Sequence, residues 1–571
     1  RFVSFVVGWD LFMVDLRTGR PYALTSGSTE GLRSATPDTM GDVLTGGGHW
    51  WSPDGSQIAY IQTDERAVPT FWYADLLSSR GWNVPERYPQ PGDPTPVMAL
   101  KVVRNGAVTW IDTRPWAGWY MARVAWLPDS RHLALQMLSR DHKQLSLVLA
   151  DSATGATRTL LTDSDPCWVN VVDDLRFFSN SCYFLWSSER DSYRHLYLYG
   201  VDGKQYAQLT SGPQACVGVA GVDEVKRAVY YIAWPDPYTE AHLKRVTYQP
   251  GSAGFRPIES VRVTPTGGSH FPHLSPDCSL FGDLRSNATR PAHLALCRSD
   301  GEHVAMVEDN PCAELQTLGL REFSFLSLPT AKLGLPSDAM AQYAKLLEPA
   351  NRVPGKRYPV IVYVYGGPLP GGFGLARNAL DYWRPVPELW LQMMSQQGFG
   401  VFTLDNRGSN AAPRGHDWET PIHHRLGEVE LADQLEGVAY LKSLDWVDGD
   451  RLGLVGGSFG GFMTLNAMLK APGTFAAAVA YAPVTDWREY DCVYAERYMG
   501  SPKENALGYR DTAIAPRAHQ LQGELLLVHG ASDPNVHLQH SMRLIDQLVM
   551  SDKRFGMVLY PTQVHMSFFG A

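Results

Sequence analysis

The apolar run Arg451-Leu452-Gly453-Leu454-Val455 passes without a break into Gly456-Gly457-Ser458-Phe459-Gly460-Gly461, and a helical pattern follows over 462–469. A strand that ends in G-x-S-x-G and turns straight into a helix has few ways to fold. The serine must sit on a sharp turn, where side chains at neighbouring positions would clash, so glycine fills them. That turn lifts the Ser458 hydroxyl clear of the backbone. It also aims the Phe459 N–H at the oxygen of whatever group the hydroxyl attacks.

The rest of the C-terminal half supplies the sheet such a turn needs. From about residue 340, strands alternate with helices. Residues 358–365 and 400–405 are continuous apolar runs, as buried parallel strands should be, and 429–444 has helical periodicity. Two later strands end in candidate partners for the serine. Residues 524–530 lead into a loop holding Asp533, and 555–560 lead through Pro561-Thr562-Gln563-Val564 to His565. The chain order Ser, Asp, His is that of an α/β-hydrolase with a doubly wound, mostly parallel sheet. In that geometry Asp533 orients the imidazole, and His565 takes the Ser458 proton and returns it to the leaving amine. His529 precedes Gly530 at a strand end and is given a packing role; His423, His424 and His537 are read as ordinary polar histidines.

Residues 1 to about 320 look all-β. A turn entering a strand recurs as Trp51-Ser52-Pro53-Asp54-Gly55, Trp126-Leu127-Pro128-Asp129-Ser130 and Leu274-Ser275-Pro276-Asp277-Cys278. A hairpin recurs around Thr18-Gly19, Thr154-Gly155, Asp202-Gly203 and Asp300-Gly301. One four-stranded unit cannot bury both of its faces, whereas radial packing buries them all. These repeats therefore predict a β-propeller. A chain of 571 residues exceeds one ordinary core, and the expected division is a propeller over 1–325 and a hydrolase over 326–571.

A net charge of −9 with no dense Lys/Arg tract argues against a nucleic-acid partner. No run of 18 apolar residues predicts a membrane span. Seven cysteines without a CxxC pair give a zinc site little support, while one or two disulfides stay open. The triad and its oxyanion donors suffice for acyl transfer, so neither a metal nor an organic cofactor is expected. The compartment is not legible.

At this point the chain resembles the S9 (prolyl oligopeptidase) family of serine peptidases, and within it the dipeptidyl peptidase IV branch. The matching pieces are Val364-Tyr365-Gly366-Gly367-Pro368, Leu404-Asp405-Asn406-Arg407-Gly408, Gly457-Ser458-Phe459-Gly460-Gly461, His529-Gly530 with Asp533 and Asn535-Val536-His537, and above all Ala482-Pro483-Val484-Thr485-Asp486-Trp487 continuing to Gly500. In the first half, Trp50-Trp51-Ser52-Pro53-Asp54 and the run from Ser188 to Leu196 also fit. The resemblance implies an exopeptidase that releases N-terminal dipeptides after proline. Tyr365 would join the Phe459 amide at the oxyanion. Val484, Trp487, Tyr490, Tyr494 and Val536 would wall a proline pocket, and Asn535 would hold a substrate carbonyl. A shallow aromatic slot suits a rigid, apolar residue without an N–H. The substrates implied are peptides with proline near the N-terminus, and a homodimer is the family habit.

The branch fixes the substrate's ammonium with two adjacent glutamates in the propeller, and the corresponding stretch here is Pro37-Asp38-Thr39-Met40. A buried ammonium requires a carboxylate, which Asp38 could supply, and Arg497 matches an arginine that braces the acidic pair. The lost pair keeps a prolyl tripeptidyl peptidase and an acylaminoacyl peptidase or oligopeptidase open on this scaffold. A non-catalytic propeller interaction protein is the alternative of another kind. The first half is short for eight blades, and the chain stops before the helix expected to close the hydrolase. Missing segments of the natural protein are therefore expected.

Overall fold

The structure, a computed structural model, describes residues 2–36, 47–75, 77, 79, 82–171, 173–234, 240–251, 254–287, 290–368, 389–409 and 414–565. Asp38 lies outside these residues.

Among the described residues, six antiparallel sheets succeed one another through the first half, the blades of a β-propeller. The first has three strands, the second five, and those over 120–164, 176–208, 215–262 and 269–308 have four each, paired in chain order. The recurring Ser-Pro-Asp turn is held by its own side chains: Ser52 Oγ donates to Asp54 at 2.6 Å, and the Ser56 N–H reaches the same carboxylate at 3.0 Å. The sheet over 215–262 carries neither repeat signal. Its first turn places Arg227 at φ 52° in the left-handed region, and its last hairpin closes on the pair Gly251–Gly254. A two-stranded ribbon, Thr70–Asp75 with Trp82–Arg87, stands outside the meanders.

The second half is one eight-stranded sheet. Its strands are β1 (Ser324–Leu328), β2 (Gln342–Leu347), β3 (Tyr358–Tyr363), β4 (Gly400–Asp405), β5 (Val447–Gly457), β6 (Ala477–Tyr481), β7 (Glu524–Gly530) and β8 (Gly556–Tyr560). They run in the order β1-β2-β4-β3-β5-β6-β7-β8, with β2 antiparallel to both neighbours and every later pairing parallel. This is the α/β-hydrolase half. Helix α1 (Val429–Ser443) precedes β5, α2 (Phe459–Lys470) follows it, and α3 (Cys492–Met499) and α4 (Gln539–Met550) follow β6 and β7.

Trp168 of the propeller is wholly buried in the same apolar cluster as Val360, Leu454, Phe462 and Trp487. Removing an indole from water stabilises by about 4–6 kcal/mol, so the two halves share a core. Among the described residues no helix is long and apolar enough to cross a membrane. All seven cysteines are free thiols, which closes the disulfide option left open by the sequence.

Candidate active site

Ser458 sits between β5 and α2 at φ 58°, ψ −119°. For a side chain larger than glycine this backbone costs on the order of 1–3 kcal/mol. Its neighbours hold it there: the Ser458 N–H donates to the Tyr481 carbonyl at 2.9 Å, and the Ser458 carbonyl accepts from Phe462 at 3.0 Å. The glycines are needed for approach rather than flexibility. A Cβ on Gly456 would stand 2.3 Å from the Gly460 carbonyl oxygen, and one on Gly460 would stand 2.3 Å from that of Val364. Helix α2 starts at Phe459, three residues before the periodicity begins, because those glycines are already helical. The Phe459 N–H thus belongs to the unpaired first turn, where it points out of the helix start.

His565 follows β8, and Asp533 follows β7. His565 Nε2 lies 3.1 Å from Ser458 Oγ, and its Nδ1 lies 2.7 Å from Asp533 Oδ2. The other Asp533 oxygen accepts the N–H groups of Asn535 at 2.9 Å and Val536 at 3.0 Å. Burial pushes the Asp533 carboxyl upward, but the imidazoles of His529 and His565 beside it outweigh that and bring its pKa to about 2. His529 is fully buried, with Nδ1 on Ser541 Oγ at 2.7 Å and Nε2 on the Val536 carbonyl at 2.8 Å. It braces the loop from within.

Three of the five expected pocket residues meet directly, Trp487, Tyr490 and Tyr494. Trp487 stacks on Tyr494 with centroids 5.7 Å apart and meets Tyr490 edge-on at 5.7 Å. Val484 and Val536 are buried in the same cluster. Tyr490 donates to Asn535 Oδ1 at 2.6 Å, and Tyr494 to the Pro368 carbonyl at 3.0 Å. The Tyr365 ring lies 6.0 Å from that of Phe459. Behind it, the Asn406 amide donates to the Gly366 carbonyl at 2.8 Å, and the wholly buried Arg407 makes a bidentate pair with Asp433. These contacts account for the Asn406-Arg407 motif, which pattern alone left without a role.

The propeller contributes more than the sequence indicates. Arg140 forks onto Glu496 of α3 at 2.8 and 2.7 Å, and the Gly92 N–H reaches the same carboxylate at 2.7 Å. Arg497 donates to Asn170 Oδ1, and the Asn170 amide nitrogen bridges Glu189 at 2.7 Å and Glu419 at 2.8 Å. The acidic partners of Arg497 are therefore reached through an amide. Glu189, His416 and Glu419 bring ligand atoms within 4.8 Å of one another, a spacing that could hold a metal ion. Asn170 already lies between the two carboxylates, however, and Arg194 pairs with Glu189 at 2.9 Å. Burial pushes the His416 imidazole down, but the carboxylates of Asp165 and Glu419 beside it raise its pKa to about 10. Three cations thus stand among three carboxylates, an arrangement that has no need of an added cation.

His537 is buried against the ribbon, where its ring stacks on Phe71 at 3.7 Å and its Nε2 meets Glu86 at 3.1 Å. The rings of His423 and His424 lie 3.8 Å apart, tilted by 32°, and among the described residues make no hydrogen bond or ring contact with Ser458, Asp533 or His565. No spacing rule marks Tyr88, Arg140 or Asn170, since each reaches the site across hundreds of residues.

Comparisons with known proteins agree with this architecture. Residues 1–292 match the family model described as the dipeptidyl peptidase IV (DPP IV) N-terminal region, and residues 388–570 match that of the prolyl oligopeptidase family. Dipeptidyl peptidase 8 of Mus musculus is 28% identical over 91% of this chain and 66% of its own length, and that of Homo sapiens is 28% identical over 91% and 65%. The chain thus spans slightly under two thirds of these relatives. The crystal structure of Porphyromonas gingivalis dipeptidyl peptidase 4 superposes with a TM-score of 0.88 at 26% identity, over 99% of this chain and 78% of that one. The chain belongs to the prolyl oligopeptidase family, in its dipeptidyl peptidase IV branch.

Proposed function

We propose that the chain is a serine exopeptidase that releases N-terminal dipeptides with proline in second place. Ser458 attacks the carbonyl carbon of the proline while His565 Nε2 accepts its proton. Asp533, ionised through the neutral range, stabilises the resulting imidazolium. The Phe459 N–H and the Tyr365 hydroxyl receive the oxyanion. Collapse breaks the C–N bond, and His565 returns the proton to the departing amine. Water, deprotonated by the same imidazole, then frees the dipeptide from Ser458.

The proline ring fits the slot of Val484, Trp487, Tyr490, Tyr494 and Val536. Because Asn535 Oδ1 accepts from Tyr490, its amide nitrogen is the donor left for a substrate carbonyl. Asp38 takes the substrate ammonium, with Arg497 bracing that end of the site. In this reading residues 1–325 form the propeller that caps the catalytic unit of 326–571, and two copies form a homodimer. The names of the relatives, dipeptidyl peptidases 8 and 4, fit the same product length.

The observation that carries the reading is the 3.1 Å approach of His565 to Ser458 with Asp533 behind it. Chromogenic Gly-Pro, Ala-Ala-Pro and N-blocked Gly-Pro substrates test it. Turnover of the first alone is expected. Hydrolysis of the blocked peptide removes the exopeptidase assignment, and preference for Ala-Ala-Pro moves it to tripeptide release.

A further inference from the structure

Tyr88 follows the ribbon Thr70–Asp75/Trp82–Arg87 and carries the propeller into the substrate pocket. Its hydroxyl donates to the Asn535 carbonyl oxygen at 2.9 Å. Asp491 is the N-cap of α3, where its carboxylate accepts the Tyr494 N–H at 2.9 Å. The residue after Tyr88 meets this helix: the Cys492 N–H donates to the Pro89 carbonyl at 2.9 Å. The pair Tyr88-Pro89 therefore ties the helix that bears Tyr494 to the loop that bears Asn535 and Val536.

The ring of Tyr88 is fixed in turn. His537, with no exposed surface, packs edge-on against it at 4.3 Å and stacks on Phe71 at 3.7 Å with an interplanar angle of 13°. Its Nε2 lies 3.1 Å from Glu86 Oε2. The loop 533–537 thus has two separate anchors. Asp533 is tied inward to His565, and His529 to the Val536 carbonyl. Asn535 and His537 are tied outward to the ribbon.

We infer that Tyr88 is a positioning residue of the substrate pocket: its hydroxyl sets the distance between the Tyr490–Tyr494 wall and Asn535, and so places the amide that holds the substrate carbonyl. This rests on the function proposed above. The triad has its own hold through the inner anchor, where Asp533 Oδ2 meets His565 and His529 fixes the Val536 carbonyl. A misplacement of about 1 Å at a substrate-binding group costs on the order of a hundredfold, and loss of one hydrogen bond about tenfold.

Tyr88→Phe removes the hydroxyl and keeps the ring. The KM for Gly-Pro-p-nitroanilide should rise about tenfold, with kcat within about twofold. Fluorophosphonate should label Ser458 at the unmodified rate. Amide hydrogen exchange over 490–494 and 533–537 should accelerate. An unchanged KM in an active variant, or unchanged exchange in both segments, overturns the proposal; so does a fall in kcat and labelling at constant KM, which would mean that the ribbon supports the triad instead. Glu86→Gln, which loosens His537 without altering shape, serves if Tyr88→Phe fails to fold. It should move KM and exchange in the same direction by a smaller factor, and no movement in either overturns the proposal. If the unmodified protein hydrolyses no peptide, the peptidase reading fails while the exchange measurement still decides the role of Tyr88.

Discussion

Asp533 Oδ2 stands 2.7 Å from His565 Nδ1, in a site buried enough to push a lone carboxyl toward neutrality. The charge survives because two imidazoles and two backbone N–H groups face it. Asp533→Asn keeps the shape and loses the charge. It should lower kcat by about 10⁴-fold, with Ser458→Ala lower still, near 10⁶-fold. Steady-state turnover of Gly-Pro-p-nitroanilide measures both, and wild-type-like melting of each variant confines the loss to chemistry.

Trp487 is buried to 1% exposure and makes aromatic contacts with Phe459, Phe462, Tyr490 and Tyr494. Trp487→Ala should destabilise the fold by about 3–5 kcal/mol. It should also flatten the preference for proline over alanine at the cleaved position, read as the ratio of kcat/KM for Gly-Pro and Gly-Ala substrates. Urea unfolding gives the stability change.

Arg407 and Asp433 are both without exposed surface, and Arg407 also reaches Asp338 and the Ala331 carbonyl. Removing one member strands the other charge in the core. Arg407→Ala should cost about 3–5 kcal/mol, whereas the double replacement Arg407→Met with Asp433→Leu should recover much of that loss. Denaturant midpoints of the three proteins check the expectation.

Glu430, on α1, is fully buried, and burial raises its pKa to about 8. Its Oε2 accepts the Gly427 N–H at 2.9 Å, while Oε1 has no hydrogen-bond partner. The folded state therefore holds a proton that the unfolded chain releases near the ordinary glutamate value of 4.5. The stabilisation is complete below that value and is lost as pH rises through about 8. Stability should fall across this window with the slope of a single proton, and Glu430→Gln should remove that component. Urea midpoints between pH 5 and pH 8.5, about the titration range, test the difference between the two proteins.

Much of the catalytic half was readable because its signals are local. A glycine pattern marks Ser458, and Asp533 and His565 fall just past strands whose apolar runs match β7 and β8 closely. The blades were readable where Ser-Pro-Asp and Xaa-Gly turns recur. The sheet over 215–262 escaped because Arg227 takes its left-handed turn without glycine. The contacts of Tyr88, Arg140 and Asn170 were not readable. Each joins residues more than 300 positions apart, and no periodicity encodes such a meeting. The packed state of His537 escaped for the same reason, since Phe71 belongs to the other half of the chain.

The grip of Arg140 and Asn170 on Glu496 and Arg497 has a consequence for engineering. Helix α3 carries Tyr494 of the proposed pocket and is bolted to the propeller through its next turn. A chimera that grafts this hydrolase onto a foreign propeller would inherit a buried Glu496 without its arginine and a buried Arg497 without the amide that links it to its carboxylates. Transplanting specificity between such scaffolds would therefore require moving the socket together with the helix.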